Sequence, residues 1–254
     1  MSNDAYLRGL LGQQDLTQEQ LDSLRALRAK IEGQIRALPK LERVYYGGSF
    51  GKHTMIREQF DLDIVAYWPS DCGYPLKDIY AAVGKVLRDN WTYVTPKTVA
   101  WELPFQGGFH IDLVPGRALD GTFRYANLHR RDTGASLQTS IKVHIDTVSD
   151  SGRREAIRLM KLWRVRKRVP FKKSLALELM TIEGCKGIPT AELEKQLLAA
   201  FCHIRDNILT AKVVDPANSN NVISDEMTYG EKLAVQTAAK AAIDAQFWNQ
   251  VFSV

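Results

Sequence analysis

The chain has 254 residues, of which 45% are apolar and 25% are charged, so it can bury a core and is not an intrinsically disordered chain. Its 34 lysines and arginines exceed its 29 aspartates and glutamates by five, and this mildly basic charge suits a polyanionic substrate without proving that nucleic acid binds. The three cysteines, Cys72, Cys185 and Cys202, lack the spacing of a metal site or a disulfide framework. With no signal peptide and no apolar run long enough to span a membrane, the sequence predicts a cytoplasmic protein.

Hydrophobic periodicity predicts the secondary structure in chain order. A long amphipathic helix is expected over Asp15–Leu38, where Thr17 and Gln20 offer a capping box. The further predicted elements are the strand Arg43–Tyr46, the helix Leu76–Asn90, the strand Phe109–Val114, and helices over Leu137–Val148, Arg153–Lys167, Ser174–Ile182, Thr190–Leu209 and Tyr229–Phe247. Residues 1–14 are expected to be partly loose, and Val213–Val222 contains too many turn formers for regular structure.

This order of elements predicts an α+β protein with two parts. Strands and helices are mixed in the first half, whereas from Gly152 onward one predicted helix follows another. The boundary is expected within residues 116–135, which are rich in Gly, Asn, Arg and Thr. The predicted domains are therefore residues 1–130, with a brace helix and a mixed sheet, and residues 131–254, which form a helical lobe.

The stretch Gly47–Val65 carries the strongest chemical signal in the chain. Residues two apart on a strand point to the same face, so Asp61 and Asp63 project side by side. Two adjacent carboxylates repel each other unless a cation lies between them, and hard divalent cations prefer oxygen ligands. Upstream, Gly48 and Ser49 form a turn after a strand, where backbone N–H groups and a hydroxyl suit a phosphate.

This Gly-Ser turn followed by Asp-x-Asp resembles the signature of the DNA polymerase β-like nucleotidyltransferases. That family has a third carboxylate on a later strand, and the run F-H-I-D-L-V-P offers Asp112. The resemblance implies that Asp61, Asp63 and Asp112 are the catalytic and metal-binding residues and hold two Mg²⁺ ions, with Mn²⁺ as an alternative. His110 shares the predicted metal-facing side with Asp112, either as a participant or as a non-ligating neighbour. The competing interpretation is that these are solvated acids on the edge of a sheet. The presence of the turn residues together with all three carboxylates disfavours it.

Cationic residues form a stripe on the predicted helix Arg153–Lys167. Arg154, Arg158 and Lys161 follow one another at helical spacing, so they lie on one face. Such a stripe can clamp a triphosphate or can simply be a solvated basic face. This segment alone does not decide between the two.

The second half of the chain is similar to the oligoadenylate synthetase and cyclic GMP-AMP synthase superfamily. The motifs are R-x-x-x-R-x-x-K-x-W, K-S-x-x-L-E-L and D-P-A-N, and the strongest similarity is to the CD-NTases of bacterial anti-phage signalling (CBASS). The implied fold is a polymerase β-like nucleotidyltransferase lobe, with a mixed sheet and helices, plus a helical substrate-binding lobe. The residues implied to bind nucleotide are Gly48, Ser49, Arg158, Lys161 and Ser174.

The resemblance implies a metal-dependent nucleotidyltransferase that makes a cyclic di- or trinucleotide second messenger from nucleoside triphosphates and releases pyrophosphate. Its implied partners are nucleoside triphosphates and an activating protein or nucleic acid. The alternative is a template-independent enzyme that adds nucleotides to RNA 3′ ends, of the CCA-adding or tailing type. A third alternative, a non-catalytic binding module, is disfavoured by the intact carboxylates. The bases, the ring size, the linkage and the oligomeric state stay open.

Overall fold

The computed structural model describes residues 2–253; Met1 and Val254, the outermost residues of the two predicted domain ranges, lie outside the described residues. The chain divides into two compact units. The unit that we call the sheet unit contains Leu16–His53 and Phe60–Ile145. The unit that we call the helical unit contains the chain up to Asp15, the segment Thr54–Gln59 and the chain from Asp146 onward. A short segment between Ser49 and Asp61 therefore belongs to the helical unit.

The sheet unit is built on a mixed sheet, which has seven strands among the described residues. The strands are β1 Arg43–Tyr46, β2 Leu62–Trp68, β3 Thr95–Pro96, β4 Trp101–Pro104, β5 His110–Ala118, β6 Ala126–His129 and β7 Ser136–Thr139. At its centre, β2 and β5 run parallel, while β1 pairs antiparallel with β2 and β4 pairs antiparallel with β5. A parallel pair needs a crossover connection, which the helix α4 (Leu76–Asn90) and the strands β3 and β4 supply. The predicted mixed sheet is confirmed.

Burial along β2 marks it as the central strand. Every residue of Leu62–Trp68 is buried except Asp63, which is half-buried. A strand covered on both faces carries apolar residues at nearly every position, so a carboxylate within it stands out. The one charged position of this strand is therefore a candidate for function.

The helices of the sheet unit are α2 Gln18–Ile35, α3 Gly48–Gly51, α4 and a short 3₁₀ helix at Gln106–Gly108. Two of them contact the central strand pair, α3 at β2 and α4 at β5, and α2 packs against α4. The predicted capping box of α2 is confirmed, since the Thr17 side chain accepts from the Gln20 backbone and the Gln20 side chain accepts from the Thr17 backbone. The helix α5 (Ile141–Ser151) begins in the sheet unit and ends in the helical unit.

The helical unit consists mainly of helices packed around a hydrophobic core that is chiefly aliphatic. Its elements are α1 Asn3–Gln13, α6 Arg154–Arg166, α7 Ser174–Gly184, α8 Leu193–Asn207, α9 Tyr229–Asp244, α10 Trp248–Phe252, the strands β8 Val214–Asp215 and β9 Asn218–Val222, and a 3₁₀ helix at Ile223–Glu226. In its core the Phe201 ring lies 5.0 Å from that of Trp163 and 6.4 Å from that of Trp248. Within residues 2–253, no helix combines the length and the apolarity that a membrane crossing requires.

The N-terminal segment is more ordered than its polar composition predicts. Residues 1–14 were expected to be partly loose, but α1 occupies most of them. Leu7, Leu10 and Leu11 are buried in the core of the helical unit. Apolar residues three and four apart made this helix possible, and its burial against other helices stabilises it.

Two further local predictions were wrong. The residues just before α5 were predicted to be helical, but Ser136–Thr139 pairs with β6 as the strand β7. The segment predicted to lack regular structure forms the β8–β9 hairpin. There, Asp215 accepts hydrogen bonds from the backbone N–H of Ala217 at 2.8 Å and from Asn221 Nδ2 at 3.1 Å. The turn formers therefore build the hairpin rather than prevent it.

Candidate active site

The pairing of β2 with β5 brings the predicted carboxylates together. In the parallel register Asp63 lies directly opposite Asp112, and Leu62 lies opposite Ile111. Asp61 immediately precedes β2, two residues from Asp63, and therefore lies on the same face. The sheet unit thus assembles all three predicted metal-binding residues on one face of the sheet.

His110 links two of these carboxylates. Its Nδ1 atom lies 2.8 Å from Asp61 Oδ1, and its Nε2 atom lies 3.9 Å from Asp112 Oδ2. His110 is the first residue of β5, and the two-residue repeat places it on the same face as Asp112. The sequence left its role open, and the geometry places it within the carboxylate cluster.

Two residues of the cluster escaped the sequence analysis. Glu102 on β4 lies directly opposite Asp112 in the antiparallel register. Lys97 Nζ lies 2.5 Å from Glu102 Oε2 and 3.1 Å from both carboxylate oxygens of Asp112. In the sequence Glu102 is visible only as one acidic residue in the apolar run W-E-L-P. The strand with which this run pairs could not be inferred from the sequence, so its closeness to Asp112 was not predicted.

The donor set fits a hard divalent cation. Ligand atoms of Glu102, His110 and Asp112 all lie within 4.8 Å of one another. Asp61 and Asp63 add further carboxylate oxygens on the same face. Carboxylate oxygens match the coordination preferences of Mg²⁺ and Mn²⁺, whereas an imidazole is a more usual ligand of zinc, copper or iron. The carboxylates of Asp61, Asp63 and Asp112 therefore satisfy the chemical requirement for the predicted cation, while Glu102 is paired with Lys97 and His110 with Asp61.

Burial and mutual repulsion raise the pKa values of Asp61 and Asp63. Burial, reinforced by the charge of Asp112, raises the pKa of Asp63 to about 6, although Lys52 partly offsets the effect. Burial likewise raises the pKa of Asp61, while His110 opposes this rise. Groups whose charge is costly in the folded protein gain most from a bound cation. The raised pKa values and the carboxylate ligands therefore both favour a bound divalent cation.

Lys97 provides one fixed positive charge beside the cluster. Burial disfavours its charged form, but its hydrogen bonds with Glu102 and Asp112 outweigh burial, and the pKa of Lys97 is raised. The ammonium is therefore fully protonated at neutral pH and neutralises part of the negative charge of these two carboxylates.

The Gly-Ser turn approaches Asp63 so closely that only glycine fits. Gly48 has a φ of +49°, and a Cβ atom there would lie 1.6 Å from Asp63 Oδ2. The backbone N–H of Gly47 donates to the Asp63 carbonyl at 2.9 Å. Ser49 follows in the short helix α3. The predicted phosphate-binding turn and the predicted metal ligands are therefore in direct contact within the sheet unit.

The remaining predicted nucleotide-binding residues all belong to the helical unit. Lys161 is only 4% exposed, and its Nζ atom lies 2.6 Å from Glu178 Oε1 and donates to Thr54 Oγ1 at 2.8 Å. Glu178 itself is fully buried. Lys161 therefore has a structural partner within its own unit, and its assignment to nucleotide binding stays a prediction.

Arg158 and Ser174 also have partners within the helical unit. Arg158 donates to Asp15 Oδ1 at 2.7 Å and to the Met55 carbonyl at 3.0 Å. Ser174, the first residue of α7, accepts from Arg164 Nη1 at 2.9 Å. Their predicted contacts with phosphate stay predictions. Part of the cationic face of α6 contacts the segment Thr54–Gln59.

The fold of the chain is that of solved CD-NTases. It is similar to Escherichia coli MS115-1 CdnC with ATP, with a TM-score of 0.77 and 22% identity over 100% of this chain and 98% of that one. It is also similar to the CD-NTase CdnG of Bradyrhizobium diazoefficiens in complex with GTP, with a TM-score of 0.74 and 13% identity over 100% and 97% of the two chains. The CdnE cyclic dinucleotide synthase of Elizabethkingia meningoseptica with GTP and Apcpp gives a TM-score of 0.62 and 12% identity over 91% and 100%. No protein-family model and no curated protein sequence matches the chain.

Proposed function

We propose that this chain, which has the fold of the CD-NTases, is a metal-dependent nucleotidyltransferase that makes a cyclic di- or trinucleotide from nucleoside triphosphates and releases pyrophosphate. The observation that carries the proposal is the position of Asp63 directly opposite Asp112, with Asp61 and the Gly48 turn beside them. Solved structures of the same fold contain ATP or GTP, and one of them is a cyclic dinucleotide synthase. A role in anti-phage defence rests on the resemblance to CD-NTases alone.

Asp61, Asp63 and Asp112 would hold the divalent cations. When bound, such cations neutralise charge on the phosphates and lower the pKa of the attacking ribose hydroxyl. Asp112 is the proposed acceptor of the hydroxyl proton. Lys97, which contacts Asp112 at 3.1 Å, keeps that carboxylate in place. His110 orients Asp61 through its Nδ1 contact.

Positioning accounts for most of the proposed catalysis. Gly48 and Ser49 are proposed to hold the donor phosphates, since they lie in the turn that touches Asp63. A phosphate bound in that turn is presented next to the carboxylates, and phosphoryl and nucleotidyl transfer depends strongly on such placement. Lys161 and Ser174 are proposed as further phosphate contacts on the basis of their motif alone.

Incubation with labelled nucleoside triphosphates and Mg²⁺ tests this proposal. A cyclic product has no terminal phosphate, so the expected result is a small labelled product that resists phosphatase. The matched control is Asp63→Asn, which keeps the volume of the side chain and should yield no product. Label found only at the 3′ end of added RNA would establish the tailing alternative, and no incorporation with any acceptor would refute nucleotidyl transfer.

A further inference from the structure

A cavity lies within the sheet unit, beside the strands β1 and β2. Its volume is about 380 Å³, which is within the range of about 300–1,000 Å³ that is usual for small-molecule sites. Four of its nine lining residues are aromatic, and the walls include Tyr45, Tyr67 and Phe123 together with Ile141 and Ile145 of α5. This lining is that of a pocket for a flat apolar ring.

The cavity is separate from the carboxylate cluster. None of the residues that line it is Asp61, Asp63, His110 or Asp112. Tyr67 lies four residues after Asp63 on β2, which corresponds to about 13 Å along a strand. The cavity is therefore distinct from the carboxylate cluster, although two of its lining residues, Tyr46 and Ile145, border the short helix α3 that follows the turn.

Tyr67 forms a buried wall of this cavity. Its side chain is 1% exposed, and among the described residues no hydrogen-bond partner lies near its hydroxyl. Burial also raises the pKa of this phenol, so the hydroxyl keeps its proton. The hydroxyl has almost no accessible surface, so a molecule in the cavity meets the ring of Tyr67 rather than its hydroxyl.

The rim of the cavity is positively charged. Arg124 and Lys142 both line it and are both exposed, whereas none of the described lining residues is acidic. A third cation, Arg43, lies over the ring of Phe123 with its guanidinium carbon 5.5 Å from the centroid. The entrance therefore favours an anionic group, while the interior favours an aromatic ring.

We propose that this cavity binds a small molecule that joins a flat aromatic ring to a carboxylate or phosphate group. The ring lies between Tyr45, Tyr67 and the α5 isoleucines, and the anionic group lies at Lys142 and Arg124. Tyr45 is 36% exposed and stands edge-on to Tyr67 with the ring centroids 5.9 Å apart, so it forms the accessible wall of the site. This site is additional to the proposed nucleotidyltransferase site and does not depend on it.

Calorimetric titration of the full chain in EDTA, without nucleotides, tests the proposal. The probes are 1-naphthylacetate and 1-naphthyl phosphate, which share one ring, with 1-naphthylacetamide as the neutral counterpart of the first. At least one anionic probe should bind more tightly than the amide, and the better of the two tells a carboxylate site from a phosphate site. Lys142→Glu should weaken the anionic probe about tenfold and leave the amide unchanged, as expected for reversal of one nearby charge.

Two further variants locate the probe. Ile145→Trp fills the cavity and should abolish binding of all three probes. Tyr67→Phe is the matched control: it should leave the binding of all three probes and the melting temperature unchanged, since the hydroxyl it removes has almost no accessible surface and no partner among the described residues. If Ile145→Trp fails to fold, the comparison of Lys142→Glu with Tyr67→Phe decides. Equal binding of acid and amide, or no binding of any probe at millimolar concentration, overturns the proposal.

Discussion

Asp63 and Asp112 lie directly opposite each other on the two parallel central strands of the sheet. Both side chains are at least partly buried, and the ammonium of Lys97 lies 3.1 Å from the Asp112 carboxylate. Two facing carboxylates at this depth destabilise the fold unless something positive binds between them. The charge of Asp63 should therefore favour activity while it does not favour the stability of the fold.

The first prediction is that neutralising Asp63 lowers turnover without lowering stability. Asp63→Asn should lower nucleotide turnover by about 1,000-fold, because it removes a charge from the proposed metal site. The same change should leave the free energy of unfolding unchanged or increase it, because it removes the repulsion with Asp112. Turnover and urea denaturation in the absence of divalent cations measure the two effects.

The control for this variant is Asp89→Asn, which changes an exposed carboxylate of α4 that pairs with Lys85. It should change neither turnover nor stability appreciably. A large loss of stability in Asp63→Asn would mean that the carboxylate has a stabilising partner in the folded chain, and the repulsion argument would fail.

A second prediction concerns the glycine turn. Gly48→Ala should lower turnover by about 100-fold or more, since its Cβ atom would collide with Asp63 Oδ2 and displace a proposed metal ligand. Gly73→Ala is the matched control, because Gly73 also has a positive φ, of +77°, but a Cβ atom there would meet no atom within 4 Å. Both variants carry the backbone strain of a left-handed residue, and only Gly48→Ala carries the collision.

Steady-state turnover and melting temperature of the two glycine variants provide the measurement. Similar losses of stability with a selective loss of turnover in Gly48→Ala support the contact with Asp63. Equal turnover in the two variants would refute a role for this turn in placing Asp63.

A third prediction concerns the buried ion pair of the helical unit. Lys161→Met should destabilise the protein by about 3–5 kcal/mol, because it leaves the charge of Glu178 buried without the opposite charge of the lysine. The double variant Lys161→Met/Glu178→Leu should recover most of that loss, since apolar residues of similar volume replace both charges. Urea denaturation of the single and double variants measures the recovery.

The double variant also tests the proposed phosphate contact of Lys161 without the complication of a damaged fold. If Lys161 binds the donor triphosphate, KM for nucleotide should rise in the double variant while kcat changes less. An unchanged KM in a stable double variant assigns Lys161 a purely structural role.

A fourth prediction concerns pH. The hydrogen bonds from Arg166, together with that from Gln14, lower the pKa of Glu58 in the folded protein, although burial opposes the shift. A carboxylate with a lowered pKa stabilises the fold above its unfolded value, near 4.5, and this stabilisation is lost as the pH falls through the folded pKa. Glu58→Gln should therefore reduce stability at pH 7 and flatten the dependence of stability on pH below about 5. Urea midpoints measured from pH 7 to pH 3 check both effects, and parallel curves for the two proteins would contradict the assignment.

The local features of the fold follow from neighbouring residues and were readable in the sequence. The two-residue repeat of a strand places Asp61 and Asp63 on one face whatever the rest of the chain does. The capping box of α2 and the strand Arg43–Tyr46 depend on residues a few positions apart, and both are confirmed. The motifs also identified the CD-NTase fold, because the turn, the carboxylates and the motifs of the second half are each short stretches that are readable even at low overall identity.

Only the tertiary structure decided which distant residues meet. Glu102 and Lys97 join Asp112 through the register of β4 on β5, and register is a property of the pairing of strands rather than of either strand alone. Lys161 lies on the expected helix, but Glu178 and Thr54, which bind it, come from a different helix and from a segment far upstream in the chain. Helical periodicity predicts the face on which a cation lies but not what packs against that face, because packing depends on contacts between elements distant in sequence.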